Sequence, residues 1–173
     1  SASENDDTIA WHKNDGSENF TKIVIDAAAD RAQDVHAIDL DGDGDLDVLS
    51  ASAGDGTIAW YENNGSENFT KIAITTTASG ANDVHAIDLD GDGDLDVLSA
   101  DSYGKGINWH ENDGSENFTK QVVSSTGYSV RSVHAADMDG DGDMDLLSAA
   151  RDSAWFENDG NESFSKIYIN TTA

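Results

Sequence analysis

Nine residues, Asp39-Leu40-Asp41-Gly42-Asp43-Gly44-Asp45-Leu46-Asp47, place five carboxylates on one short segment of the chain. Unit charges a few Å apart repel by about 1 kcal/mol per pair even in water, so such a segment is stable only as a chelate or as a solvated acidic tract. A solvated tract needs neither glycines at fixed positions nor apolar flanks, and this segment has both. We therefore interpret it as a metal-binding loop between two short strands.

The acidic segment occurs three times. It returns as residues 88–96 with the same sequence, and as residues 137–145 with methionine in place of leucine. The surrounding blocks 34–51 and 83–100 are identical, and block 132–149 differs from them mainly by methionine and leucine substitutions. Such repetition indicates one structural unit per repeat, stacked against its neighbours.

Each repeat has the pattern of four short strands separated by turns, which we label A to D. In the second repeat, residues 84–87 lead into the acidic loop and residues 97–100 leave it, and residues 107–110 and 118–123 follow. The Asp-Gly pair at residues 113–114 is a strong hairpin signal between strands C and D. Proline is absent, helical periodicity is absent, and β-branched residues fill many apolar positions. Four strands in about 49 residues is the unit of a propeller blade.

The sequence therefore predicts an all-β, propeller-type array of four-stranded antiparallel blades in a single repeat domain, residues 1–173. Residues 1–32 align with the end of strand B (residues 1–3) followed by strands C and D, which predicts an N-terminal half blade. Three complete blades are predicted at residues 33–81, 82–130 and 131–173. One A–B hairpin is missing from this count, so either the chain was cut from a longer array or a neighbouring chain supplies the strands.

The composition limits the classes of partner. The chain of 173 residues has 35 acidic and 9 basic residues and a formal net charge of −26. This charge argues against binding to nucleic acid or to an anionic membrane surface, and the sequence contains no apolar run of the roughly 20 residues that membrane insertion needs. There is no cysteine, so a metal ion could take over the cross-linking role of a disulfide.

The spacing within the loop resembles the start of an EF-hand, with acids at positions 1, 3, 5, 7 and 9 and glycine at position 6. An EF-hand also needs glutamate at position 12 and flanking helices. Position 12 is instead Ser50, Ser99 or Ser148, and both flanks have strand patterns. The acid at position 9 must then complete the site. Oxygen ligands without histidine or cysteine favour Ca²⁺ over zinc or copper, and a flexible multidentate loop suits Ca²⁺ better than Mg²⁺.

The repeated motif Asp-x-Asp-Gly-Asp-Gly-Asp-x-Asp between two short strands resembles the FG-GAP/VCBS repeats of integrin α-chain propellers and of many secreted microbial proteins. In that family the A–B loop binds Ca²⁺, so the resemblance implies about three calcium ions, with the position-7 residue acting through its carbonyl. Family propellers commonly have about seven blades, and this chain has roughly half that number, which puts closure of the ring in doubt. The implied ligands are Asp39, Asp41, Asp43, Asp45, Asp47, Asp88, Asp90, Asp92, Asp94, Asp96, Asp137, Asp139, Asp141, Asp143 and Asp145.

Histidine recurs at one place in strand A, as His36, His85 and His134. Strand A would lie nearest the propeller axis. The three imidazoles could there bind a transition metal or an anion, or they could serve packing and hydrogen bonding.

Tryptophan recurs in strand C at intervals of 49, 49 and 46 residues, from Trp11 to Trp155. These rings could be sugar-stacking platforms or core between blades. The residue after each tryptophan is predicted to lie on the opposite face of strand C, toward the surface. They are His12, Tyr61, His110 and Phe156.

Six asparagines lie in N-glycosylation sequons, most of them next to the predicted C–D turn, where a glycan would fit. Occupancy is expected in a secreted eukaryotic protein and not in most bacteria. The candidate sites are Asn19, Asn64, Asn68, Asn117, Asn161 and Asn170.

We find no catalytic constellation in the sequence, and we predict that the chain is not an enzyme. The predicted function is a calcium-stabilised, extracellular structural or adhesive interaction module. Its predicted partners are other copies of the chain or adjoining repeats, joined by strand complementation into an oligomer or filament, and an extracellular protein or glycan. The alternatives are a non-catalytic, lectin-like glycan-binding module and an accessory domain of a larger secreted enzyme.

Overall fold

The computed structural model describes residues 1–103, 106–125 and 129–169. These residues form fifteen β-strands in four antiparallel sheets, without a helix of any kind and so without one of membrane-spanning length. Blade 1 contains β1 (Ala2–Ser3), β2 (Thr8–Asn14) and β3 (Phe20–Asp26). Blade 2 contains β4 (Ala32–Ile38), β5 (Asp47–Ser52), β6 (Thr57–Asn63) and β7 (Phe69–Thr75). Blade 3 contains β8 (Ala81–Ile87), β9 (Asp96–Asp101), β10 (Gly106–Asn112) and β11 (Phe118–Ser124). Blade 4 contains β12 (Ser132–Ala136), β13 (Asp145–Ala149), β14 (Ala154–Asn158) and β15 (Phe164–Tyr168).

The predicted all-β array of propeller-type blades is confirmed. Blades 2, 3 and 4 are meanders in which strands A, B, C and D pair in chain order. Blade 1 has the C–D hairpin and, in β1, a two-residue piece of strand B that pairs with β2 through Ala2 opposite Ile9. The acidic loops join strands A and B. All A–B loops and C–D turns therefore lie at one end of the blades, which we call the acidic end, and the B–C and D–A connections lie at the opposite end.

The hydrophobic core lies between the blades, because each sheet alternates its side chains between two covered faces. On one face of blade 2, Leu49 pairs with Trp60 and Trp60 with Ile72. This row packs against Val84 and Ala86 of the next blade. Trp60 is fully buried and its counterpart in blade 3 is 2% exposed, so both belong to the core and cannot be sugar-stacking platforms.

The predicted surface position of the residues after the tryptophans is wrong for three of the four repeats. Tyr61, His110 and Phe156 are only 1–3% exposed, whereas His12 is exposed. The reason is that the second face of each sheet packs against the preceding blade. The Tyr61 hydroxyl, for example, donates a hydrogen bond to Asp26 Oδ2 of blade 1 at 2.9 Å.

The buried His110 should make stability depend on pH. Its Nε2 lies 3.3 Å from Ser99 Oγ, and burial, aided by Lys120, lowers its pKa from 6.5 to about 4. An unfolded chain takes up this proton near pH 6.5 and the folded chain does not. The contribution of His110 to the free energy of unfolding should therefore be fully present above that pH and should fall by roughly 1.4 kcal/mol per pH unit toward pH 4.

Replacing His110 by tyrosine, the residue at the equivalent position 61, is expected to remove this contribution. The measurement is the denaturant midpoint at several pH values for wild type and His110→Tyr. The matched control is His12→Tyr at the exposed equivalent position, which should keep the wild-type slope. A wild-type slope in His110→Tyr would contradict the expectation.

Successive A strands are joined by a repeated hydrogen bond from backbone to carboxylate. Val84 N donates to Asp34 Oδ2 at 3.1 Å, and Val133 N donates to Asp83 Oδ2 at 2.8 Å. Burial raises the pKa of Asp83, against the hydrogen bond from Val133. These bonds link the A strand of each of blades 2 and 3 to the A strand of the next blade.

The strand-A histidines form a ladder across three blades. The ring centroids of His36 and His85 are 5.2 Å apart, and those of His85 and His134 are 5.0 Å apart. Burial and the two neighbouring rings lower the pKa of His85. Within the described residues, only the acidic loops bring three ligand atoms within 4.8 Å of one another, so the three imidazoles do not converge on one ion.

The described sequon asparagines lie at or beside the exposed C–D turns. Asn19, Asn64, Asn68, Asn117 and Asn161 are all exposed. Asn170 lies outside the described residues. Glycosylation of these sites stays a prediction.

Candidate metal centres

The acidic loop of blade 2 is folded by its own carboxylates. Gly44 N donates to Asp39 Oδ2 at 3.0 Å, Asp43 N to Asp41 Oδ1 at 3.1 Å, and Asp45 N to Asp43 Oδ1 at 2.8 Å. Gly44 adopts a φ of 96°, which residues with a side chain rarely do. The same bonds at positions 1, 3 and 5 recur in blades 3 and 4.

Each loop brings three carboxylates together, with one oxygen of each within 4.8 Å of the others. At such separations two unpaired charges near a protein surface repel by about 4 kcal/mol. A bound cation would reverse the sign of this energy. The three groups are Asp39, Asp41 and Asp43; Asp88, Asp90 and Asp92; and Asp137, Asp139 and Asp145.

One oxygen in the blade 2 loop has no partner. Asp39 Oδ1 is buried and accepts no hydrogen bond, whereas the equivalent oxygens of Asp88 and Asp137 accept from Gly91 N and Gly140 N at 2.8 and 2.7 Å. A buried carboxylate oxygen without a donor is costly, and a cation is the partner that would satisfy it. The donors are all hard oxygens, so the residues fit a hard divalent cation.

The position-9 residues Asp47, Asp96 and Asp145 are the most buried acids of the loops, at 0–1% exposed. Each accepts two backbone hydrogen bonds. Asp96 accepts Leu89 N at 3.1 Å from its own loop and Asn112 N at 2.8 Å from the end of strand C. Asp47 and Asp145 make the same pair of bonds.

The sequence did not reveal that the acid at position 9 accepts two backbone hydrogen bonds. From the sequence, this acid was interpreted only as the ligand that completes the site. Asp145 also lies within the carboxylate group of its loop, whereas Asp47 and Asp96 lie outside theirs. These acids tie the A–B loop to strand C. Burial raises the pKa of Asp96 to about 6 despite both backbone donors.

The position-7 side chains point away from the carboxylate groups. Asp45, Asp94 and Asp143 reach the C–D turn of their own blade, where each carboxylate contacts the site that a Cβ would take on the turn glycine, Gly65 in blade 2 and Gly160 in blade 4. This placement agrees with a role through the backbone carbonyl alone. In blade 1, which has no acidic loop among its described strands, the turn glycine has open space at the same place.

A profile described as the FG-GAP-like repeat matches three overlapping segments, residues 1–50, 39–99 and 88–148. The chain belongs to the FG-GAP-like repeat family. Among solved structures, it is similar to a lectin from Agrocybe aegerita whose title describes specific recognition of non-reducing terminal N-acetylglucosamine. The identity is 21% and the TM-score 0.59, over 90% of this chain and 45% of that one.

At this identity the likeness to the lectin shows the fold alone. The chain spans less than half of the lectin's length. No curated protein matches the chain.

The FG-GAP loops carry an electrostatic cost that a cation would relieve. Burial, together with Asp92 and Asp88, raises the pKa of Asp90. Desolvation and the neighbouring acids Asp141 and Asp145 also raise the pKa of the exposed Asp139. The charged forms are therefore disfavoured where the loop needs them as ligands, so binding of a cation would stabilise the folded loop.

Proposed function

We propose that this chain is a calcium-stabilised, non-catalytic interaction module that works outside the cell. The observation that carries the proposal is the carboxylate group repeated in three FG-GAP loops, with a buried oxygen of Asp39 that lacks a partner. Calcium would neutralise each group and hold the A–B loop in the shape that ties it to strand C. In a chain without cysteine, three such ions would cross-link the folded chain in place of disulfides.

The proposed calcium requirement favours an extracellular location. Ca²⁺ sites of extracellular modules typically have dissociation constants near 10⁻⁴–10⁻³ M, which suits an environment rich in calcium. The charge would remain about −20 with three ions bound, which favours a soluble protein in a cation-rich medium.

Assembly is supported by the uncovered face of blade 4. Its row Leu147, Trp155 and Ile167 is equivalent to the row that is buried between blades 2 and 3. Trp155 is only half-buried and Ile167 is 39% exposed, whereas Trp60 is fully buried. Because the row has the composition that other blades of this chain cover, we propose a neighbouring blade, from an adjoining repeat or from a second copy, as its partner.

Replacing Ile167 by glutamate is expected to weaken self-association at least about tenfold, because it places a charge in an apolar contact. The matched control is Tyr168→Glu, which adds the same charge at a 54% exposed neighbour on the opposite face of β15. Both are measured by sedimentation equilibrium, with calcium and with EGTA. A wild type that stays monomeric at high concentration with calcium, or equal effects of the two variants, would contradict this assembly.

A second candidate function is glycan binding. The lectin's title supports it by analogy, and an open cavity of about 470 Å³ lined mainly by polar side chains supports it independently. The third possibility, an accessory domain of a larger secreted enzyme, is compatible with either role.

A further inference from the structure

The end of the blades opposite the acidic loops has a polar cavity that the calcium chemistry does not use. It measures about 470 Å³, and its lining comes from blades 2 and 3, from the B–C connection of blade 3 and from the connection between blades 3 and 4. A second hollow of about 400 Å³ shares Ser129 and Arg131 with it and extends to Arg151. The cavity is lined by Gln33, Asn82, Ser102, Tyr103, Ser129 and Arg131.

Two cations at this cavity have no carboxylate partner. Arg131 and Arg151 are exposed, and neither takes part in an ion pair within the described part of the chain. Carboxylates of the adjoining strands are already engaged, since Asp83 accepts Val133 N and Asp101 accepts the Asn108 amide at 2.8 Å. In a chain with a net charge of −26, two unpaired arginines that line the same hollow mark a place for an anionic ligand.

Tyr103 gives the cavity a flat aromatic wall. The ring is 69% exposed, and its edge lies where a Cβ on Gly80 would be, so only glycine at position 80 allows this placement. Gly80 also has a φ of +67°, which a side chain would strain. A held aromatic ring with an open face is a stacking surface for the C–H groups of a sugar ring.

The polar side chains of the cavity are held in place by the backbone. Asn82 Nδ2 donates to Val130 O at 3.1 Å and also contacts Ser102 Oγ. Ser102 Oγ donates to the same carbonyl at 3.3 Å. Preorganised amide and hydroxyl groups are what sugar hydroxyls need for directional hydrogen bonds.

The repeats of this chain provide an internal comparison. The 18-residue blocks that follow Gln33 and Asn82 are identical. The residue before each block differs, and in the third repeat the same position is Arg131. Likewise Tyr103 takes the place of Gly54. The positions that build the blades are repeated, while the positions that line this cavity vary, which is the pattern of a ligand site on a repeated scaffold.

We propose that this cavity binds an acidic saccharide. The carboxylate lies against Arg131 and Arg151, the sugar ring stacks on Tyr103, and the amides and hydroxyls bind the sugar hydroxyls. The inference rests on the second candidate function, glycan binding, and gives it a site and a ligand class.

The test is calorimetric titration of the calcium-loaded chain with a glucuronate-containing disaccharide and with its neutral isostere, in which a hydroxymethyl group replaces the carboxylate. The wild type should prefer the acidic disaccharide. Arg131→Gln combined with Arg151→Gln should weaken the acidic ligand at least about tenfold and leave the neutral one unchanged. Tyr103→Ala should weaken both sugars, and the control Lys22→Gln, an exposed cation of blade 1, should weaken neither.

Melting curves of each variant establish that it is folded. Equal binding of the acidic disaccharide by wild type and the double arginine variant would overturn the site, and so would inorganic sulfate binding as tightly as the disaccharide. Binding of neutral glycans without dependence on Arg131 and Arg151 would overturn this inference and leave the glycan-binding candidate standing. Absence of binding across a glycan array would overturn both, and it would leave the calcium-dependent assembly untouched.

Discussion

Removal of calcium is expected to lower the melting temperature of this protein by about 10 °C. Each FG-GAP loop that binds calcium at ten times its dissociation constant adds about 1.4 kcal/mol, so three loops add about 4 kcal/mol. For a chain of this size each kcal/mol corresponds to about 2–4 °C. The physical reason is that repulsion within each carboxylate group stays uncompensated without the ion.

The measurement is a melting curve in millimolar calcium, in millimolar magnesium and in EGTA. Magnesium should restore less of the stability, because it demands a strict octahedral shell. A loop variant, Asp88→Asn with Asp92→Asn, should lose about a third of the calcium effect if the three sites are equal. The proposal fails if the curves in calcium and EGTA coincide.

Asp96→Ala is expected to destabilise the protein by about 4 kcal/mol even without calcium. The variant leaves Leu89 N and Asn112 N, which donate to Asp96 at 3.1 and 2.8 Å, without an acceptor. Each unsatisfied buried group costs about 1–3 kcal/mol. Since burial raises the pKa of Asp96 to about 6, removing its penalised charge offsets part of this cost.

The matched control is Asp92→Ala in the same loop, whose side chain is exposed and accepts one bond, from Asp94 N. In EGTA, chemical denaturation should show a large loss for Asp96→Ala and little change for Asp92→Ala. In calcium both variants should lose stability. Asp96→Asn, which keeps one acceptor, should lie between wild type and Asp96→Ala. A wild-type midpoint for Asp96→Ala in EGTA would show that Asp96 acts only through the metal.

The repeat architecture and the carboxylate groups could be predicted from the sequence because their signals are local. The two-residue alternation of the strands, the Asp-Gly turn and the fixed spacing of the aspartates act within one repeat. They were enough to predict the blades and the meander order. They also placed acids 1, 3 and 5 of the first two loops, such as Asp39, Asp41 and Asp43, around one point, whereas the third loop uses positions 1, 3 and 9.

The partners of individual side chains could not be predicted in this way. The interpretation of Tyr61 and His110 as surface residues followed from alternation in a single sheet, and it was wrong because a neighbouring blade covers the second face. The two backbone hydrogen bonds that Asp96 accepts come from residues 7 and 16 positions away, across two turns. The side chain at position 7, such as that of Asp45, contacts the C–D turn, which is also distant in the sequence.

Each repeat contains its own strand, turn and aspartate pattern, so sequence analysis was enough to predict a stack of FG-GAP blades with three acidic loops. The tertiary structure separates the acids that support the fold from those that converge on one point. It alone brought Gln33, Tyr103 and Arg131 from separate blades to one cavity. Contacts between blades join residues about one repeat apart, and no local pattern specifies which side chains meet there.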